Sequence, residues 1–124
     1  MLASRALVAA AVSFLSLGAS PVAAPVQVIN LKSYSYAPAP IRLRAGRTVT
    51  MQFVNRAGKS HDFTARSFFR SSRILSGRVG NGEVELRGGQ SASVTLIPAA
   101  GRYPVHCGHP FHKMLGMRSV ILVQ

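Results

Sequence analysis

The side chains best suited to binding a metal crowd into twelve positions near the end of this 124-residue chain. Residues 106–117 hold three of the four histidines, the only cysteine and two of the four methionines. Cys107, His112 and Met117 follow one another at the spacing Cys-x4-His-x4-Met. A cysteine thiolate, two imidazoles and a weak thioether form the donor set of a mononuclear copper site, because sulfur suits Cu(I) and imidazole suits both oxidation states. The segment therefore predicts a loop that folds three side chains around one copper ion.

A second imidazole has to come from elsewhere, and His61 is the only histidine outside this segment. Successive side chains of a strand point to opposite faces. If His61 points inward, so do Phe63 and Ala65, whereas Asp62 and Thr64 face water.

The same alternation supports Cys107 as an inward residue. Tyr103, Val105 and Cys107 share one face of the strand predicted over residues 102–106, so His106 points outward. Two donors remain as alternatives: His109 and Met114 could substitute in the set, or bind Cu(I) at a second, exposed site. We favour His112 over His109, because His109 lies only two residues from Cys107 and leaves little room for a turn.

The composition excludes several other classes of site. There are 15 lysines and arginines but only three acidic residues, which gives a formal charge of +12. With no second carboxylate near Asp62 in sequence, catalysis by a carboxylate pair is almost excluded. One cysteine can build neither an internal disulfide framework nor a four-cysteine zinc site. No Ser/His/Asp set or glycine-rich phosphate loop is present, so the sequence predicts a protein that is not an enzyme.

The first 24 residues have the features of an export signal. Arg5 supplies a positive start, residues 6–17 are an apolar run too short to span a bilayer, and small residues lead to Ala24. We therefore expect a signal peptide over residues 1–24, a mature domain over residues 25–124, and a periplasmic or secreted location.

The mature region has the pattern of short strands separated by turns. Val49, Met51 and Phe53 alternate with polar residues, and similar alternation predicts six further strands, over residues 26–31, 41–44, 83–86, 91–96, 102–106 and 119–123. Strands at this spacing favour an antiparallel sandwich or barrel. One stretch departs from the pattern: residues 66–75 place Arg66, Arg70 and Arg73 at helical spacing, and read as a short basic amphipathic helix or an arginine-rich surface loop.

Taken together, these features resemble the cupredoxin family, the small type 1 blue copper proteins. The resemblance covers nearly all of the mature sequence and includes the upstream His61 and the closing Cys–His–Met loop. It implies an all-β, Greek-key β-sandwich with one copper ion at one end. It also implies that His61, Cys107 and His112 are equatorial ligands and that Met117 is the weak axial ligand. Asp62 departs from the family, in which asparagine often follows the ligand histidine.

Two functions follow from a copper site. The first is a one-electron carrier between periplasmic redox partners, and the alternative is a copper-binding chaperone or scavenger. A third, non-metal hypothesis is a basic interaction domain in which Cys107 is simply buried. The positive charge favours an acidic redox partner, such as a c-type cytochrome, or a copper-handling protein, and also suits an anionic membrane surface. We expect no nucleic-acid partner for an exported protein, and a monomer.

Overall fold

The alternating segments form strands in the computed structural model, which describes residues 3–4, 6–16, 18, 23–110, 112 and 115–124. The elements of this described part follow the chain in this order: β1 (Val26–Lys32), β2 (Ser35–Ala37), β3 (Ile41–Leu43), β4 (Val49–Asn55), β5 (His61–Thr64), α1 (Arg66–Ser71), β6 (Arg73–Ser76), β7 (Glu83–Leu86), β8 (Ser91–Ile97), β9 (Gly101–His106) and β10 (Arg118–Val123). All seven strands listed from the alternation are present.

The strands form two five-stranded sheets. One sheet has the order β2-β1-β4-β8-β6 and the other β3-β10-β9-β5-β7. Most neighbours are antiparallel, but β1 pairs with β4 and β3 pairs with β10 in parallel. The expected all-β Greek-key sandwich is confirmed, with these two parallel pairs as a difference from a purely antiparallel arrangement. In each parallel pair the two strands are far apart in the sequence, so the local alternation of side chains does not reveal their relative direction.

The core lies between the two sheets, as the alternation predicts. Met51 and Phe53 of β4 and Phe63 of β5 are fully buried, and the rings of Phe53 and Phe63 lie 4.8 Å apart between centroids. Inward residues of the other strands complete it, among them Ile29, Leu31, Ile41, Leu86, Val94, Leu96, Val105 and Ile121. The packed interior supplies a stiff frame for the strand ends that carry the metal-binding residues.

The arginine-rich stretch is a helix, but a shorter one than the periodicity of residues 66–75 suggests. Helix α1 ends at Ser71, and Ser72 is already extended, with φ −86° and ψ 150°. The side chains of Phe68 and Phe69 are buried and pack the helix against the core. Leu75 instead lies in β6 and is 47% exposed. Arg73 therefore belongs to the strand. Pairing of β6 with β8 overrides the helical spacing beyond Ser71.

The described part of the chain contains no helix that is long and apolar enough to cross a membrane. Two residues used for the export prediction, Arg5 and Leu17, lie outside the described residues, as does the alternative ligand Met114.

Candidate metal centre

Two donor residues lie where β5 and β9 run side by side. His61 begins β5, Cys107 directly follows β9, and the two strands are joined through Thr64 and His106. Both donors are buried, and the Nδ1 atom of His61 lies 4.0 Å from the Sγ atom of Cys107. The inward row that ends at Cys107 is confirmed, and it brings the thiol to the end of the sandwich.

The third donor comes from the loop that joins β9 to β10. Its ends are tied by a hydrogen bond from the Cys107 amide to the Met117 carbonyl at 3.0 Å, and the Met117 amide donates to the His112 carbonyl at 2.9 Å. Gly116 has φ +92°, a conformation that favours glycine. The loop thereby places Nδ1 of His112 3.3 Å from Sγ of Cys107.

The three donors have a spacing that suits a single ion. One ligand atom each from His61, Cys107 and His112 lies within 4.8 Å of the other two. An ion bonded to sulfur at about 2.3 Å and nitrogen at about 2.0 Å, as zinc is, separates these donors by about 3.5–3.7 Å at tetrahedral to trigonal angles. The observed separations of 3.3 and 4.0 Å lie on either side of that range. A His₂Cys trigonal set with a weak axial ligand is the arrangement typical of copper.

Met117 is fully buried, and it follows His112 by five residues in the chain. Its backbone closes the ligand loop on both sides, through Cys107 and His112. A buried thioether next to a His₂Cys set suits the weak axial position, and the role of Met117 as a ligand stays a prediction.

Burial changes the protonation of two donors in ways that matter for metal binding. Desolvation, and then the neighbouring imidazoles of His112 and His109, lower the pKa of His61, so this ring is neutral and has a free lone pair at neutral pH. Desolvation raises the pKa of the Cys107 thiol, and the nearby carboxylates of Asp62 and Glu85 add to this against two backbone hydrogen bonds. A metal ion must therefore displace the thiol proton.

The prediction that Asp62 and Thr64 face water is wrong. They are 3% and 1% exposed, because the ligand loop passes over this face of β5. The Oδ1 atom of Asp62 accepts hydrogen bonds from the Thr64 hydroxyl at 2.7 Å and from the Gly108 amide at 2.8 Å. A Cβ atom at Gly108 would lie 3.1 Å from the Asp62 carboxylate, so glycine permits this close approach. Asp62 thus ties the ligand loop to the strand that carries His61, and its amide approaches Sγ of Cys107 at 3.5 Å.

His109 lies beside the donor cluster. Its Nε2 atom is 2.9 Å from a Glu85 carboxylate oxygen and 3.8 Å from Asp62, and its ring stacks on His112 with centroids 5.5 Å apart. The contact with Glu85 takes one of the two ring nitrogens of His109, and the histidine that converges with His61 and Cys107 is His112. This arrangement favours His112 as the ligand, as the spacing predicts.

Three residues near the donors are missed by the sequence analysis. Tyr36 is buried and donates from its hydroxyl to the Asp62 carbonyl at 2.6 Å, and burial raises its pKa. The side chain of Asn55 donates to the carbonyls of Lys59 and Leu86, which fixes the loop before His61. Tyr34 places its ring edge-on to both histidine donors. Except for the bond from Asn55 to Lys59, these contacts join residues far apart in sequence, so no local signal marks them.

Comparisons with known proteins agree with the fold. A structure of auracyanin B is 20% identical, with a TM-score of 0.61, and covers 86% of this chain and 93% of its own. Auracyanin A from Chloroflexus aurantiacus, described as a "blue" copper protein, is 19% identical with a TM-score of 0.55, over 80% and 99% of the two chains. The McoA multicopper oxidase from Aquifex aeolicus is 16% identical, with a TM-score of 0.63. The match covers 85% of this chain but only 31% of the oxidase chain.

No curated protein matches the sequence. The family model described as a cupredoxin-like domain matches residues 5–123, which is nearly the whole chain. The sandwich, with its His₂Cys cluster at the start of β5 and the end of β9, and this match lead to one conclusion: the chain belongs to the cupredoxin family.

Proposed function

We propose that this protein is a type 1 copper protein that carries single electrons between redox partners outside the cytoplasm. The observation that carries the proposal is the convergence of His61, Cys107 and His112 on one point within the cupredoxin-like sandwich. Met117 supplies the weak axial ligand in this proposal. Copper bound there would supply a reversible Cu(II)/Cu(I) couple. A packed β-scaffold that keeps the donors in place in both states favours fast electron exchange over substrate turnover.

Electrons would enter and leave through the loop side of the site. His112 is half-buried, whereas His61 and Cys107 are almost fully enclosed. In the chain, His112 is flanked by the exposed Pro110 and Leu115, the latter 58% exposed. The thinnest cover over the site is therefore an apolar surface around one ligand, which suits brief contact with a partner.

The charge distribution supports an acidic partner. All three acidic residues of the chain line one pocket of about 260 Å³ together with His106 and His109. Within the described part of the chain, ion pairs involve only His109, and lysines and arginines pair with no carboxylate. Exposed cations that end or flank strands, among them Lys32 at the end of β1, Lys59 before β5 and Arg87 after β7, would steer an acidic redox protein such as a c-type cytochrome toward the site. An anionic membrane surface would be attracted by the same charges, and the protein would act as a monomer.

The location also belongs to the proposal. The apolar side chains of Leu7 and Phe14 are 98% and 92% exposed and take no part in the core. This supports a leader that is removed to leave a periplasmic domain of residues 25–124. Mass spectrometry of the protein purified from the exporting cell would give the mature N-terminus.

The direct test is a visible absorption spectrum of the purified protein during titration with Cu(II), followed by reduction and reoxidation. The proposal expects one copper per chain and a strong thiolate-to-copper band that bleaches on reduction and returns on reoxidation, with copper retained throughout. Binding without this band, or loss of the ion on reduction, would contradict an electron carrier.

One observation favours the alternative of a copper-handling protein. The ring of His109 stacks on His112, close enough to receive an ion that leaves the site. A chaperone would pass Cu(I) readily to an added chelator and would form a weak Cu(II)–thiolate band. A carrier would hold Cu(I) against the same chelator, so a Cu(I) transfer assay separates the two functions.

A further inference from the structure

Tyr34 adopts a backbone conformation that its residue type does not favour. It lies in the two-residue turn between β1 and β2, where Lys32 pairs with Ser35, and has φ +62°. Glycine and asparagine are the usual residues at such a position, because a Cβ atom makes the left-handed region unfavourable. A tyrosine kept in this conformation points to a use for its side chain.

The side chain of Tyr34 contacts both histidine donors. Its ring lies edge-on to His112, with centroids 5.3 Å apart at 87°, and edge-on to His61, with centroids 6.3 Å apart at 84°. These are favourable aromatic geometries. Among the residues that the structure describes, the Tyr34 hydroxyl has no hydrogen-bond partner, and the contacts of the side chain are those of its ring with the two imidazoles. The residue is 38% exposed, so its side chain contacts both the imidazoles and solvent.

We propose that Tyr34 is a positioning residue of the copper site: its ring forms a wall that holds the imidazoles of His61 and His112 in their ligand orientations and slows release of the ion. The inference rests on the proposed function. His112 needs such a wall more than His61, since it comes from a loop and is less buried. Removing the ring would let the His112 imidazole rotate and would open the site to water and chelators.

The experiment compares three substitutions in the full chain. Tyr34→Phe keeps the ring, and Tyr34→Gly removes it while relieving the left-handed backbone. Asn81→Gly is the matched control, since Asn81 is the other described non-glycine residue with positive φ, at +53°, in the turn before β7. We expect Tyr34→Gly to lose copper to a chelator at least about tenfold faster, as is typical when a partner outside the ligand shell is removed, with an altered visible band. Tyr34→Phe and Asn81→Gly should match the wild type.

A metal-free measurement tests the wall directly. In the apoprotein, the ring current of Tyr34 should shift the imidazole proton resonances of His61 and His112 in NMR spectra. The shifts should persist in Tyr34→Phe and disappear in Tyr34→Gly. If Tyr34→Gly does not fold, Tyr34→Asn replaces it, because asparagine tolerates positive φ.

Wild-type release rates and unchanged imidazole shifts in Tyr34→Gly would overturn the inference and leave the proposed function intact. Fast release from Tyr34→Phe would overturn the role of the ring. A wild-type protein that forms no thiolate-to-copper band would overturn the proposed function, and the wall with it.

Discussion

The two halves of the donor set are held by the chain in different ways. His61 and Cys107 stand at adjoining strands of one sheet and are 2% and 1% exposed. His112 and Met117 come from the loop between β9 and β10, where a few backbone hydrogen bonds fix their positions. We call His61 and Cys107 the strand half of the donor set, and His112 and Met117 the loop half. Strand pairing and core packing position the strand half. In the proposed function, the less buried His112 of the loop half is the ligand through which electrons would pass.

Substitution of the strand-borne thiol should have the largest effect. Cys107→Ser should abolish the thiolate-to-copper band completely, because a hydroxyl does not give a soft anionic donor. The visible spectrum after titration with Cu(II) measures this. Thermal unfolding of the apoprotein is the control, and it should show a folded domain, since serine is close to cysteine in size. A band that survives in Cys107→Ser would show that the thiol is not a ligand.

The link between the two halves can be broken at Asp62. Asp62→Ala removes the acceptor of the buried Thr64 hydroxyl and of the partly buried Gly108 amide, and a buried donor without a partner costs about 1–3 kcal/mol. We expect the free energy of unfolding of the apoprotein to fall by about 2–4 kcal/mol, measured by urea denaturation.

Two matched variants sharpen this result. Asp62→Asn keeps one acceptor oxygen and should lose much less stability. Glu85→Gln changes an exposed carboxylate, and a surface change of that kind is typically within about 0.5 kcal/mol. Equal losses in Asp62→Ala and Glu85→Gln would show that the loop is not tied to β5 through this carboxylate.

The pH dependence of metal binding should depend on the protonation of Cys107 and His61, the two donors of the strand half. The raised pKa of Cys107 keeps the thiol protonated at neutral pH, so each ion displaces one proton there. The lowered pKa of His61 keeps that imidazole neutral, so it adds no further proton in this range. Affinity for Cu(I) should therefore rise about tenfold per pH unit between about pH 7 and 8.5. Competition with a chelator of known pH behaviour measures it, and an affinity independent of pH would mean that the thiol is already ionised.

Sequence reasoning works for features that repeat at short range and fails for those that depend on distant contacts. Alternation gives the strands and the inward rows that end at Cys107, and the spacing of the closing segment brings His112 to the thiol. The burial of Asp62 depends on a loop 46 residues away folding over β5. No alternation within β5 can reveal that.

The turn at Tyr34 shows a different limit. A glycine or asparagine there would have predicted a hairpin, but tyrosine carries no turn signal. The aromatic contacts outweigh the local preference. The end of α1 is similar, because strand pairing after Ser71 overrides the helical spacing of the arginines.

The smallest expected effect belongs to the loop half. Met117→Leu should keep the thiolate-to-copper band, because a weak axial ligand adds little to binding, and it should shift the reduction potential measured by redox titration. Leucine has nearly the volume of methionine, so the free energy of unfolding should change by less than about 1.5 kcal/mol. Met51→Leu is the matched control, since Met51 is equally buried but lies within β4, and it should leave the potential unchanged. Loss of all copper from Met117→Leu would contradict a weak axial role, and an unchanged potential would make Met117 a packing residue. The second result would leave His112 as the one ligand that the loop contributes among the residues the structure describes.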